Sequence, residues 1–276
     1  MTRPSPRPLA HASLGLGVLS WKGWESLEAA LESYAKADFF SLFDEQVLFL
    51  PEIDDRGRGV GARFGMRFEG SDANLGILGG FRALASAMTS DIVLLLENDC
   101  PLIERADVAR ERVETARRAL AAGEVDVFRL RSRLRPGQRF QAKRKYEAMF
   151  PAPGDPPARR LAASLHRAVR PDKARRLAGG AVYAEAAPEA RHPNVIERRP
   201  EGWWRVSSAV MPWTNQSIMV RREFFLDTIL AYAAARPSSR TVNGFPDIEK
   251  ELNRPWWRKG GFRVGVGEGL FTHERV

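Results

Sequence analysis

Five consecutive aliphatic residues, Ile92-Val93-Leu94-Leu95-Leu96, end abruptly on Glu97-Asn98-Asp99. The run does not alternate, so neither face of it is suited to water, and it is far too short to cross a bilayer. It is a strand buried on both faces of a parallel sheet. Parallel neighbours need crossover connections, usually helices, so this one strand commits the chain to an α/β fold. It also points to a site, because ligands of open α/β sheets bind just beyond the carboxyl ends of the strands. Residues i and i+2 of an extended segment point the same way, so Glu97 and Asp99 can converge on one cation. Two hard oxygen donors suit Mg²⁺ or Mn²⁺, and a cation held there can bind a diphosphate. The plainer alternative is a strand capped by two acids that open a turn.

The rest of the chain repeats the alternation of strand and helix. Strands are expected at 13–19, at 46–50 before Pro51, at 66–69, at 125–130 and at 217–220. Apolar residues at helical spacing predict helices over 24–34, from the glycine turn at 74–81 to Met88, and over 106–122, 222–235 and 247–253. Residues 56–65, rich in Gly and Arg, are expected as a loop. The fold class is therefore α/β, a Rossmann-like, mainly parallel sheet flanked by helices. Residues 1–12 make a loose tail, and 13–276 one domain: a nucleotide-binding half over 13–130, a basic, partly helical insertion over 131–202, and a second half over 203–276. In the insertion, 140–150 and 158–169 look helical around the breaker at 151–157.

Composition narrows the function. Lys plus Arg exceed Asp plus Glu by 43 − 34 = 9, which favours polyanionic partners. Cys100 is the only cysteine, so neither an internal disulfide nor a cysteine metal site is available. Together with the absence of a membrane-length apolar run, this suits a cytoplasmic protein, with the segment 9–21 taken as a first core strand and not a signal peptide.

Four segments, in order, resemble the GT-A glycosyltransferases, especially those like family 2. They are Leu16-Gly17-Val18-Leu19-Ser20-Trp21; the turn Asn74-Leu75-Gly76-Ile77-Leu78-Gly79-Gly80; Leu94-Leu95-Leu96-Glu97-Asn98-Asp99, where that family has Asp-x-Asp; and a C-terminal set. The set comprises Met219-Val220-Arg221-Arg222-Glu223-Phe224-Phe225, Phe245-Pro246-Asp247-Ile248-Glu249 and Leu270-Phe271-Thr272-His273. Residues 13–99 carry the resemblance best, 214–273 less well, and the basic middle not at all. The chain departs from the pattern at Glu97 in place of Asp, at Pro246-Asp247 in place of Glu-Asp, and at Asn215 and Gln216 in place of glycines.

The resemblance implies transfer of a sugar, with inversion, from a nucleoside diphosphate sugar (UDP-linked) to a hydroxyl of a glycan or lipid-linked acceptor. It implies Mn²⁺ or Mg²⁺ on Asp99, with Glu97 on the cation through water or on the ribose, and His273 as a C-terminal ligand. Ser20, Trp21, Glu52, Asn74, Gly76, Glu97 and Asn98 would hold the nucleotide sugar, Asp54 competing with Glu52. Asp247 would take the acceptor proton, with Glu249 second; the bland reading makes both helix-start acids. Trp203, Trp204, Trp213, Trp256 and Trp257 are sugar platforms or, for at least half of them, core. The basic middle, with Arg131, Arg133, Arg135, Arg139, Lys143, Arg144 and Lys145, is solvated surface, a neutraliser of diphosphate or acidic acceptor, or a contact with anionic membrane at its inner face. The alternatives are a nucleotidyltransferase of related fold, a non-enzymatic basic nucleic-acid-binding protein, and a degenerate transferase. No nucleic-acid motif is present, so nucleic acid is not an expected partner.

Overall fold

The computed structural model describes residues 7–138 and 140–274. Its first half winds as β1 (Leu14–Leu19), α1 (Trp24–Lys36), β2 (Glu45–Pro51), α2 (Asp55–Arg63), β3 (Arg67–Ser71), α3 (Gly76–Ala87), β4 (Ile92–Glu97), α4 (Ala106–Ala121) and β5 (Val127–Arg131). The insertion follows with α5 (Gln141–Met149), α6 (Pro157–Val169), α7 (Pro171–Leu177) and α8 (Pro188–Arg191). It returns through β6 (Ile196–Arg198) and β7 (Trp204–Ser207). The last part holds β8 (Ile218–Arg221), a π-helix (Phe224–Leu230) continuing into α9 (Ala231–Ala235), and the ribbon β9 (Thr241–Val242) and β10 (Phe245–Pro246). It closes with α10 (Ile248–Leu252), α11 (Pro255–Lys259) and β11 (Arg263–Phe271).

One nine-stranded sheet has the order β3-β2-β1-β4-β8-β5-β11-β7-β6. All of its strands run the same way except β8, antiparallel to β4 and β5, and β7, antiparallel to β11 and β6. The expected mainly parallel sheet is thus present. The non-alternating run is explained by its two neighbours' worth of core: Val93 and Leu95 pack into the layer of α3 and Phe225, while Ile92, Leu94 and Leu96 pack into the layer of α1 and α4.

Two expectations are corrected. Residues 56–65 are not a loop but mostly helix, as α2. Asp54 caps it by accepting a hydrogen bond from Gly57 N at 2.7 Å, and its glycines buy proximity: a Cβ on Gly57 would lie 2.9 Å from the Trp24 ring, and one on Gly61 2.8 Å from Phe68. Tertiary contact outweighs the low helix propensity of Gly. The described part of the tail, 7–12, is not loose: Leu9 N donates to Ala121 O at 2.9 Å and Arg221 to Arg7 O at 2.6 Å. The strands β6, β7 and β11 were not foreseen.

The insertion is tied to the sheet by two arginines of the basic middle. Arg131 and Arg133 are buried. Arg133 pairs with Glu268 of β11 at 2.6 Å, donates to Glu185 O at 2.7 Å and to Val182 O, and stacks on Trp204. Arg139 lies outside the described residues.

Candidate active site

Because β1, β2, β4, β5 and β11 run the same way, their carboxyl ends share one edge. At the ends of β1 and β2 stand Trp21 and Glu52. The indole Nε1 donates to the Glu52 carboxylate at 2.6 Å, and Lys22 Nζ lies 3.3 Å from the same oxygen. These bonds, from Trp21 first and then Lys22, hold the Glu52 carboxyl below the usual range. Lys22 and Glu52 both have positive φ, 55° and 52°, which non-glycine residues avoid. Trp21 remains exposed at the surface. Ser20 is buried and donates to Lys22 O at 3.2 Å. Asn98 completes this corner, donating to Lys22 O at 3.1 Å and Gly23 O at 3.2 Å. Asp54, the competitor of Glu52, is occupied as the cap of α2.

The end of β4 departs from the extended geometry assumed for it. The strand stops at Glu97, and Asn98-Asp99 turn. Alternation therefore no longer sets where Asp99 points. Its carboxylate is buried against the end of β11, with Oδ2 3.1 Å from His273 Nε2, and its carbonyl accepts from Glu274 N at 3.0 Å. Among the described residues no group of three or more His, Cys, Asp or Glu is arranged to hold a metal ion by itself. Burial, with the negative charges of Asp99 and then Glu97, pushes the neighbouring Cys100 thiol far up.

A divalent cation fits this pair. Mg²⁺ and Mn²⁺ typically take one or two protein carboxylates and fill the rest of their shell with water and substrate phosphate. His273 Nδ1 is buried with no hydrogen-bond partner among the described residues, so its ring nitrogens are not both committed.

The glycine turn packs against the C-terminal ribbon. Asn74 Oδ1 accepts from Gly76 N at 2.8 Å, and Gly76 has φ 62°. A Cβ there would lie 2.4 Å from Phe245, so the space beside Gly76 is filled by β10. The turn fastens the C-terminal ribbon to α3.

Asp247 and Glu249 line a cavity of about 930 Å³ between β5, the insertion and α10. Asp247 caps α10, accepting from Lys250 N at 3.1 Å, and faces Arg240 at 3.4 Å. Glu249 Oε1 accepts from Thr214 Oγ1 at 3.0 Å and Asn215 N at 2.9 Å. The helix-start role foreseen as the bland alternative is therefore real for Asp247, and it leaves the residue on the cavity wall. Trp203, Trp204, Trp213 and Trp257 are buried core, and Trp256 stacks on Tyr232; only Trp213 also meets the cavity. Arg129 was missed. The signal was in the sequence, as basic residues alternate with apolar ones in Phe128-Arg129-Leu130-Arg131 where β5 should be purely apolar.

No family model and no curated protein matches the sequence. Solved structures do match. S. aureus TarS (residues 1-349) aligns over 94% of this chain and 60% of its own at TM-score 0.52 and 11% identity. Glucosyl-3-phosphoglycerate synthase from Mycobacterium tuberculosis, in complex with phosphoglyceric acid, aligns over 97% of this chain and 74% of its own at TM-score 0.50 and 14% identity. The same synthase with Mn²⁺, UDP and glucosyl-3-phosphoglycerate aligns over 97% and 74% at TM-score 0.48 and 13% identity. This chain thus spans less than two thirds of TarS residues 1-349 and about three quarters of the synthase. The likeness lies in the fold, and the fold of this chain is the GT-A fold of glycosyltransferases.

Proposed function

We propose that this chain is a cation-dependent glycosyltransferase that moves a sugar from a nucleoside diphosphate sugar, UDP-linked, to a hydroxyl acceptor with inversion. The observation that carries the proposal is the pairing of Asp99 with His273 across the ends of β4 and β11, beside the strained Trp21–Lys22–Glu52 corner. Trp21, Glu52, Ser20 and Asn98 would frame the base and ribose, with Glu97 alongside. Asp99 and His273 would hold Mn²⁺ or Mg²⁺, which when bound supplies electrostatic stabilisation to a diphosphate leaving group.

Asp247 takes the proton of the acceptor hydroxyl as its oxygen forms the new bond to C1 of the sugar. The C1–O bond to the diphosphate breaks, and the diphosphate leaves with the electron pair. Glu249, fixed by Thr214 and Asn215, orients the acceptor. Asp247→Asn tests this assignment cleanly, because Asn caps a helix as well as Asp does. Transfer should fall by at least about a hundredfold, the scale of general-base catalysis, while nucleotide affinity is unchanged. Full activity in that variant would remove Asp247 from the mechanism. A melting-temperature panel of nucleotides with and without Mn²⁺ tests the donor; no response to any nucleotide would reject the transfer function.

The proposed glycan or lipid-linked acceptor is accompanied by a contact with the anionic inner face of the membrane through α6. Leu161, Leu165 and Val169 recur along it at helical spacing and are all exposed, with exposed Arg159, Arg160 and Arg170 beside them. An exposed apolar stripe beside basic residues matches a helix lying in a bilayer interface. No helix among the described residues is long and apolar enough to cross a membrane. Sedimentation with anionic and neutral vesicles tests α6: Leu161→Glu with Leu165→Glu should abolish binding to anionic vesicles, and unchanged binding would exclude this helix.

A further inference from the structure

The cavity beside Asp247 and Glu249 carries more positive charge than sugar transfer to a neutral hydroxyl requires. Eight Lys and Arg side chains line it, against those two carboxylates. Among the described residues only Arg240 has a carboxylate within ion-pair distance, Asp247 at 3.4 Å. Basic side chains on an open surface need no explanation, because water solvates them. Arg129 and Arg131 are different: they are 3% and 6% exposed and lie two residues apart on β5.

Their hydrogen-bonding groups are met by neutral partners. Arg131 donates to Pro136 O at 2.6 Å, to Gln138 O at 3.1 Å and to Gln216, and Arg129 donates to Pro212 O. Those bonds satisfy N–H groups but bring no negative charge. Burial pushes the Arg131 guanidinium down; nearby acidic groups, Asp99 among them, offset part of this, and the Arg129 charge adds to it. Two adjacent buried cations with no carboxylate at ion-pair distance are costly, and such costs persist at sites where a ligand supplies further negative charge. Farther along the wall, Arg176 of α7 and Arg258 of α11 stand close enough to repel, since Arg258 is lowered first by burial and then by Arg176.

The donor side meets this wall at Arg131, which feels the Asp99 charge. Asp99 and His273, the residues assigned to its cation, are not among the cavity's lining residues, whereas the assigned base is. We propose, on the strength of the transferase reading, that the acceptor is a phosphorylated hydroxyl compound. Its phosphate takes its counter-charge from Arg129, Arg131, Lys173, Arg176 and Arg258, and its hydroxyl is presented to Asp247. A phosphate matches several guanidinium forks better than a carboxylate does, having more oxygens and up to two charges.

The test is calorimetric titration of the whole chain with inorganic phosphate, acetate as the carboxylate control, and UDP with Mn²⁺. Lys173→Gln with Arg176→Gln serves as the variant, both sites lying outside the sheet core. Phosphate should bind saturably and more tightly than acetate. It should continue to bind when UDP and Mn²⁺ are saturating. It should weaken by about tenfold or more in the double variant, the scale of a lost charge-assisted bond, while UDP affinity stays the same. No saturable phosphate binding, an unchanged affinity in the variant, equal binding of acetate, or competitive displacement by UDP would each overturn the proposal, the last by giving the basic wall to the donor. Phosphate binding with no response to any nucleotide would instead keep the anion site and remove the transfer function, so the two failures are distinguishable.

Discussion

Lys22 and Glu52 occupy left-handed backbone conformations that cost free energy, and their side chains form an ion pair at 3.3 Å. Strain kept at the mouth of a site is evidence of use, and it makes Glu52→Ala informative: the Trp21 indole loses its acceptor, and UDP affinity should fall by about tenfold, as for one lost charge-assisted hydrogen bond. Asp91 gives a contrasting residue-scale prediction, on stability alone. Its carboxylate accepts from Ser13 Oγ at 2.7 Å and Ser13 N at 2.9 Å, and these bonds hold its carboxyl below the usual range. A depressed carboxyl stabilises the fold fully above its unfolded pKa of about 3.9 and loses that contribution as pH falls through the folded value. Urea midpoints should therefore be lower for Asp91→Asn than for wild type at pH 7, and the two should converge in acid. The sequence placed Trp21 and Asp99 at the ends of strands, and the structure has them just beyond β1 and β4. Site chemistry was not legible where partner and residue come from distant segments: nothing local announces that Asp99 leaves the strand path for His273, or that Gly76 makes room for Phe245.

At the scale of the element, β11 repays attention because it enters the sheet between β5 and β7, with Gly265 directly beside Phe128. A Cβ at Gly265 would lie 2.4 Å from that ring, so Gly265→Ala should destabilise by about 1–3 kcal/mol, the usual cost of overpacking, measured by urea unfolding. The insertion is fixed chiefly through Arg133, which joins Glu268, Val182 and Glu185. Arg133→Met should cost about 2–3 kcal/mol, a charged hydrogen-bond set partly compensated by water at Glu268. It should also make the insertion cleave first under limited proteolysis while the sheet survives. The helices with a clear apolar stripe, α1 and α4, were legible from periodicity. Helix α2 was hidden because its glycines lower propensity while allowing close packing, and β6 and β7 were hidden because strands this short give too little pattern to count.

For the whole molecule, one sheet collects the carboxyl ends of β1, β2, β4, β5 and β11 at a shared edge, so a ligand bound there as proposed would stabilise the folded state. UDP with Mn²⁺ at a hundredfold its Kd should add about 2.7 kcal/mol to stability, raising Tm by about 5–10 °C for a domain of this size. UDP alone should add much less, and Asp99→Asn should remove the difference. That the sheet would be mainly parallel followed from one aliphatic run; that its last strand would lie inside it did not, since strand order is set by long-range pairing and not by local pattern. This placement has a consequence in time. During synthesis β5 and β7 emerge well before the strand that must lie between them, and Asp99 emerges long before His273. The growing chain therefore carries an open gap in its sheet and an Asp99 without its His273 partner until residue 273 is free to fold, so the proposed ion site would form only with the complete sheet.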